Sequence, residues 1–519
     1  MAATPTVGRV RLAELVAMIS LGTDLGMGQP MEHVMRQTLI ALRLADRLGL
    51  DETTRGVVYY VGLIAWVGCH VDAYEQAKWF GDDTALKGDA RRVDMAGVRA
   101  RAFVLSHVGA GRRPVQRARL GVKFVGEGRR AAQAMIENHW LATNDLAAGL
   151  GLAPDVRRSL YQTFERWDGR GVPGEASGEE ILIAARLVAL ADVGEAFHRG
   201  GGVEAAVAVA RERRGTQFDP ALVDVFCAEA PRLFDEIESV TTWRTVIDAE
   251  PALGIVLSDH ELEAALETIA DYTDLKSPWT IGHSRGVADL AGAAARAHGL
   301  SDADAGLVRR AALVHDLGRL GISNAIWDKR APLTPAEQER VRLHPYLTDR
   351  MLASAEALAP LRAIAVQHHE RLDGSGYPRA LSGDALTAAG RILAAADAYH
   401  AMTEPRPHRP ARSAEDAAEE LRAGVRGAQF DADAVDAVLR AAGHPVKRRR
   451  QWPAGLTSRE VEVLRLLVRG LSYREIAEEL VITRRTAGSH VEHIYAKIGV
   501  SNRARASLFA MKHGLMSAE

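Results

Sequence analysis

Cysteine is scarce in this sequence: Cys69 and Cys227 are the only two in 519 residues. That is too few, and too far apart, for a disulfide framework, and it fits a reducing, cytosolic compartment. Long apolar runs are missing as well. The longest, Val57 to Cys69, spans 13 residues, against the roughly 20 a membrane-crossing helix needs, and reads as a core helix with no membrane partner. Arg9, Arg11 and Glu14 interrupt the N-terminus, leaving no apolar stretch of the secretory-signal kind. Disordered and collagen-like compositions are excluded, since 47% of residues are apolar, 25% are charged and mean hydropathy is −0.10. Strict alternation with β-branched residues is also lacking. Ala-rich and Leu-rich segments with apolar spacing of three and four run through most of the chain instead, which predicts an all-α fold. The length predicts two to four domains.

What the chain does hold is an internal repeat. Glu165-Arg166-Trp167-Asp168-Gly169-Arg170-Gly171-Val172-Pro173 aligns with Glu370-Arg371-Leu372-Asp373-Gly374-Ser375-Gly376-Tyr377-Pro378 at an offset of 205. The same offset superposes His139 on His344, Gln162 on Gln367, Arg186 on Arg391 and Asp192 on Asp397. Upstream the offset is 250, placing His33 on His283 and Gly49-Leu50 on Gly299-Leu300, so the first copy carries 45 additional residues. Gln217-Phe218-Asp219 echoes Gln429-Phe430-Asp431. The expected division is a first copy over residues 1–245, a linker from Ser239 to Pro251, a second copy over 255–445, and a last domain over 446–519. The proline-bounded, charged segment His444 to Pro453 leads into that last domain.

The net charge of −2 hides an asymmetry: residues 446–519 hold 14 Lys and Arg against 7 Asp and Glu, a local +7 that leaves the rest of the chain at −9. A small basic domain on an acidic body suits a nucleic-acid partner. Thr457-Ser458-Arg459-Glu460 and Ser472-Tyr473-Arg474-Glu475 are capping boxes that open short amphipathic helices, and Thr483 can cap a third. In that third helix Ala487, Val491, Ile494 and Ile498 share one face. Arg484, Arg485, Gly488, Ser489 and Glu492 are left outward, the layout a recognition helix needs.

In the second copy His283, His315, Asp316, His344, His368, His369 and Asp397 form a candidate ligand set. Five imidazoles and two carboxylates exceed the need of one ion and suit two divalent cations, Mn, Fe or Zn. His315-Asp316 closes a helix begun near Ser301, and Asp397 lies in the apolar run Ala394 to Ala398, where an unpaired carboxylate is costly. On a helix, His368 and His369 would point about 100° apart and address different ions. A carboxylate such as Asp316 can bridge cations roughly 3.5–4 Å apart, an arrangement suited to in-line phosphodiester hydrolysis.

Copy one has Ala65-Trp66 and Thr163-Phe164 in place of His315-Asp316 and His368-His369, and keeps only His33, His139 and Asp192. It is expected to be catalytically dead, with Cys69 a buried thiol rather than a metal ligand beside His70 and Asp72. Residues 91–130 hold eleven Lys and Arg against Asp94 and Glu127. Such a run is a solvated face, or a surface for an acidic ligand, a partner or DNA.

Residues 270–445 resemble the HD-GYP family of HD-domain phosphohydrolases through His315-Asp316-Leu317-Gly318, His344-Pro345, His368-His369 and the loop Asp373 to Pro378. The resemblance implies an all-α fold, a two- or three-metal centre and hydrolysis of cyclic di-GMP. It casts Asp316, Arg319 and Tyr377 as catalytic and Asp373, Gly374, Gly376, Tyr377 and Pro378 as a substrate loop. Arg319 stands where the family has lysine, and Trp279 stands four residues before His283, where trinuclear members have a carboxylate. Two metals are therefore expected, with Asp274 able to substitute only by a different backbone path.

Leu456 to Leu515 resembles the LuxR-type helix-turn-helix family through Leu456-Thr457-Ser458-Arg459-Glu460, Glu475-Ile476-Ala477, Arg485-Thr486, His490-Val491 and Gly499-Val500-Ser501-Asn502-Arg503. This implies DNA binding, with Arg484, Arg485, Lys497 and Arg503 on phosphates, Ser489 and Glu492 at base edges, and Thr486 and His490 in the same interface. Gly488 departs from the basic residue common there. Paired half-sites imply a homodimer. The expected protein is a cytoplasmic transcriptional regulator with two tandem HD-type domains, the second hydrolysing a cyclic dinucleotide or related phosphorylated molecule. In the alternative version it senses a nucleotide or metal without turnover. Family analogy alone supplies the substrate.

Overall fold

The repeat reappears as paired helices with paired caps. In the computed structural model, which describes residues 9–238, 242–251, 254–445, 452–480 and 482–516, the helix His33–Arg47 corresponds to His283–His298. Each starts from a left-handed residue, Glu32 at φ 77° and Gly282 at φ 80°. A buried carboxylate takes an N–H of each first turn: Val34 donates to Asp24 at 3.0 Å and Ser284 donates to Asp274 at 2.7 Å. That settles Asp274, which caps a helix instead of reaching the ligand set. Glu52–Ile64 and Asp302–Leu313 follow, capped by Asp51 and Ser301. Pro154–Tyr161 then pairs with Ala359–Ala365, and Ile183–Glu212 with Ala388–Thr403.

The two repeated loops close on a glutamate. Glu165 accepts from the N–H groups of Gly174 and Glu175 at 3.0 and 2.8 Å, and Glu370 from those of Arg379 and Leu381 at 2.8 and 2.9 Å. A Cβ at Gly376 would meet the Arg371 nitrogen at 2.4 Å, so this glycine permits the loop's close return. The added segment of copy one forms Ala73–Phe80, Asp83–Ala90, Gly97–His107 and the first part of Pro114–Gly149. Asp83 reaches from it into copy two, accepting from Ser323 Oγ at 2.7 Å and Asn324 N at 2.8 Å. The two copies consequently form one compact unit, Met1–His444, separate from Pro445–Glu519. Of the expected linkers, residues 239–241 and 446–451 lie outside the described residues, and the first is otherwise partly helical, Thr242–Asp248.

The second unit has four α-helices among its described residues, Ser458–Val468, Tyr473–Leu480, Arg484–Ile498 and Arg503–Lys512. The expected caps Thr457 and Thr483 are formed, and Asn502 caps the fourth helix. Val461, Leu464, Ile476, Ala487, Val491 and Ile494 are buried at its centre. Burying each branched side chain contributes roughly 1.5–3 kcal/mol. No named strand occurs among the described residues, and no single helix there is long and apolar enough to cross a membrane.

Candidate metal centre and nucleic-acid interface

All seven expected ligands of copy two converge. Asp316, fully buried in the turn after Asp302–Leu313, divides them between its two oxygens. Its Oδ2 lies 3.0 Å from His315 Nε2 and 3.6 Å from His283 Nε2, while its Oδ1 lies 3.4 Å from His344 Nε2 and 3.6 Å from His368 Nε2. Asp397, on the helix Ala388–Thr403, stands 3.3 Å from His283 Nε2 and 3.8 Å from His369 Nδ1.

The rings are aimed by their other nitrogens. His315, His344 and His368 each give Nδ1–H to the carbonyl three residues upstream, Ala312, Val341 and Ala365, at 2.6, 2.6 and 2.7 Å. Such bonds fix the tautomer and present Nε2 to the centre. His283 Nδ1 instead faces Glu404 at 2.8 Å. His368 and His369 lie in the turn beyond Ala359–Ala365, not on a helix as expected, so backbone turning rather than helical phase separates their rings.

Burial pushes His344 down to about 4 and His368 down to about 3. Burial opposes ionisation of Asp316 too, but Arg319 and His315 beside it hold its carboxyl well below the usual range. His283 and His315 do the same for Asp397. These two carboxylates in turn overcome the burial of His315 and raise it to about 10.

The residues fit divalent cations. His283 Nε2 and Asp316 Oδ1 are buried without a hydrogen-bond partner, Asp316 Oδ2 is paired with Arg319 and His315, and ionised carboxylates with imidazoles freed of their Nε2 proton are the donors such ions take. Ligand atoms of His283, His315 and Asp397, of His344, His368 and His369, and of His315, Asp316 and His368 form three groups, each within 4.8 Å.

A cavity of about 720 Å³ opens beside this cluster, walled by Trp279, Trp327, Tyr377 and the cations Arg319, Lys329 and Arg406. Arg319 lies over the Trp327 ring at 4.8 Å, with Nη2 2.5 Å from Asp316 and with Nε and Nη1 unpartnered. Of the expected substrate loop only Tyr377 lines this cavity, its ring 4.8 Å from that of His369. Asp373 turns back to accept from Ser375 N at 2.9 Å, and Gly374 at φ 81° and Gly376 serve the loop's own path, as does Pro378 in its cis peptide with Tyr377. Sequence reading missed His400 and Glu404, which form a further group with His283. His400 sits three positions after Asp397 on one helix face, a signal that spacing could have supplied. Trp327 and Arg406 carried no such signal.

Copy one keeps the frame and sets an arginine beside the surviving carboxylate. His33 contacts Asp192 at 3.0 Å and pairs with Glu195, and the guanidinium of Arg91, from the added segment, pairs with Asp192 while lying 4.8 Å over Trp66. His139 packs edge-on against Phe164 at 4.8 Å. Burial raises Cys69 to about 11. Within the basic run, Arg112 donates to the Lys78 carbonyl at 3.0 Å and Arg117 to the Val108 carbonyl at 3.1 Å, so part of that charge stitches the segment together.

In the second unit Arg484, Arg485, Thr486, Ser489 and Glu492 are exposed at the start of Arg484–Ile498, and His490 is half-buried. Lys497 and Arg503 are placed differently from expectation. Lys497 Nζ pairs with Glu460 at 2.8 Å, and Arg503 donates to the carbonyls of Gly470 and Leu471 at 3.0 and 2.5 Å, the free end of Ser458–Val468. Helix-end carbonyls and an internal carboxylate thus claim two cations assigned to phosphates. Gly488 is open, a Cβ there meeting nothing closer than Tyr473 at 3.9 Å.

An all-helical duplicated body with buried His and Asp pairs, joined to a recognition-helix unit, defines a class of metal-dependent HD-domain proteins fused to a DNA-binding domain. The chain belongs to the HD-domain family, whose profile matches residues 128–222 and 267–434, and the profile of bacterial regulatory proteins of the luxR family matches residues 454–510. It is similar to the 3'3'-cGAMP-specific phosphodiesterase 3 of Vibrio cholerae serotype O1, at 32% identity over 404 residues, 77% of this chain and 88% of that protein. It is 29% identical over 216 residues to the cyclic di-GMP phosphodiesterase response regulator RpfG of Xanthomonas campestris pv. campestris, 41% of this chain and 57% of that one. The crystal structure of the cyclic GMP-AMP specific phosphodiesterase V-cGAP3 of V. cholerae superposes with a TM-score of 0.59 at 27% identity, covering 85% of this chain and 99% of that one.

Proposed function

We propose that the chain is a cytoplasmic transcriptional regulator whose second HD copy, residues 255–445, hydrolyses a cyclic dinucleotide, cyclic di-GMP or 3'3'-cGAMP. Residues 1–245 are its metal-free duplicate, and residues 446–519 bind DNA as part of a homodimer. The observation that carries this reading is the convergence of buried imidazole and carboxylate donors from His283, His315, Asp316, His344, His368, His369 and Asp397 beside a cationic, aromatic cavity. Two cations, Mn, Fe or Zn, would be held by His283, His315 and Asp397 and by His344, His368 and His369, with Asp316 shared. Bound there, they supply Lewis-acid charge to a phosphodiester and to water.

The chain's own residues do the rest. The free Nη1 of Arg319 donates to a phosphate, its plane fixed by Trp327 and its Nη2 held by Asp316. Burial and Asp397 raise Tyr377, which keeps its hydroxyl protonated as a donor to the same phosphate. Trp279 and Trp327 offer faces for purines, and the exposed Arg330 on the same wall offers charge for the second phosphate, since Lys329 is held by Glu337 and Arg406 by Glu404.

The test is turnover of both dinucleotides by anaerobically purified, Mn- or Fe-loaded protein beside Asp316→Ala, with metals counted in each. About two metals and turnover, both lost in the variant, support hydrolysis. A second reading, binding without turnover, is favoured by the 2.5 Å contact of Arg319 on Asp316, which claims an oxygen the ions would share. Metals without turnover would establish it, and an absence of metals would overturn both readings.

A further inference from the structure

A cavity of about 870 Å³ lies in copy one, between the helices Pro114–Gly149 and Pro154–Tyr161 and the loop that ends at Val172-Pro173. It is distinct from the metal centre, and its walls are mainly apolar: Trp140, Leu141, Leu160, Tyr161, Phe164 and Val172. The Trp140 and Tyr161 rings meet edge-on at 4.9 Å, and Leu141 remains 49% exposed. A volume of this size is typical of small-molecule sites.

The repeat supplies an internal control. At the offset of 205, Asn144, Arg157 and Gly174 correspond to Asp349, Arg362 and Arg379. In copy two these three close on one another, Arg362 Nε donating to Asp349 at 2.6 Å and Arg379 Nη2 donating to its other oxygen at 2.8 Å. In copy one the carboxylate has become an amide and the third cation a glycine, and Arg157 Nε is buried with no acceptor. Trp140 Nε1, in the same wall, is also buried with no acceptor. The neighbouring Arg158 is already paired with Asp155, and Glu137 stands at the rim. A buried donor left unmet is costly, so an acceptor from outside the chain gains what Asp349 supplies internally in copy two.

We propose that this cavity binds a small organic acid, its aromatic or aliphatic body against Trp140, Tyr161 and Phe164 and its anionic group on Arg157. The assignment gives copy one a ligand of its own, different in chemistry from a cyclic dinucleotide.

The test uses the full chain and two dyes that share an aromatic body, the anionic 1-anilinonaphthalene-8-sulfonate and the neutral N-phenyl-1-naphthylamine, followed by fluorescence titration. The sulfonate is expected to bind once per chain and about tenfold more tightly than the neutral dye, as one charge-assisted contact provides. Arg157→Leu removes that preference. Asn144→Asp restores the internal carboxylate of copy two and also weakens the sulfonate about tenfold, with binding of the neutral dye unchanged. Thermal melts of both variants establish that they fold. Equal affinity for the two dyes, binding at many sites, no binding, or a folded Asn144→Asp that binds the sulfonate like the parent would each overturn the proposal. Sedimentation of the same samples covers the other occupant: a dimer dissociated by Leu141→Glu, with no dye bound, would assign the groove to a second copy.

Discussion

Arg91 is the cation around which copy one is built, and its removal should be expensive. Its side chain and that of Asp192 are each 8% exposed, and Asp192 also faces His33 at 3.0 Å. Deleting one member of a buried ion pair costs about 3–5 kcal/mol, because the partner stays buried and unpaired. Here the lower end, about 3 kcal/mol, is expected of Arg91→Leu, since His33 can take up a proton and pair with Asp192 instead. Burial lowers His33 most, and Arg91 lowers it further, so the variant should raise it. A histidine lowered on folding costs stability as pH falls below its unfolded value near 6.5, and a variant that lowers it less incurs less of that cost at low pH. The loss should therefore be smaller at pH 5.5 than at pH 8. In a thermal melt followed by tryptophan fluorescence, about 3 kcal/mol corresponds to roughly 3 °C for the compact unit Met1–His444 melting as one. Arg91→Leu with Asp192→Asn, which removes both charges, should recover most of that shift. A loss below about 1 kcal/mol, or a double variant no more stable than the single, would refute the view that the guanidinium stands in for the ions.

Four further outcomes follow from the same geometry. Arg484→Ala and Arg485→Ala should weaken DNA binding on every sequence and each lower the salt slope by about 1. Lys497→Ala and Arg503→Ala should lower the melting temperature of the isolated transition and leave that slope nearly unchanged, as fluorescence anisotropy across a salt series would read. Gly318→Ala should abolish metal retention measured by mass spectrometry, because its Cβ would sit 1.9 Å from the His344 carbonyl oxygen and 2.7 Å from the Thr348 nitrogen, both backbone. Asp83→Ala should destabilise the body by about 3–5 kcal/mol and speed hydrogen exchange over Ser323 to Trp327, since it strands the buried Lys87 and Lys276. Burial opposes ionisation of Asp83 but those lysines hold it low, so its contribution is complete above about pH 4 and disappears only as pH falls through the folded value.

The helices were legible because apolar spacing and cap residues are local, and Thr457, Ser301 and Thr483 act where the sequence places them. The ligand set was legible because His and Asp in apolar surroundings have few uses. Arg91 was not, since an arginine in a basic run looks solvated until the fold turns it onto Asp192. Lys497 and Arg503 misled for the same reason: charge and motif do not reveal that Glu460 and two helix-end carbonyls lie within reach. What each copy retained follows a physical division. Asp24 and Asp274 cap helices, Glu165 and Glu370 close loops, and Arg186–Asp219 matches Arg391–Asp431 at 2.6 and 3.2 Å. These groups stabilise the folded chain unaided, so both copies need them whatever either one catalyses. The ligands of copy two bury two carboxylates, which Arg319 and the surrounding imidazoles balance in part and divalent cations would balance further. A copy that loses four of the seven must balance the remaining carboxylate some other way: Asp192 pairs with Arg91, while Glu195, where copy two has His400, pairs with His33, Arg36 and Arg199.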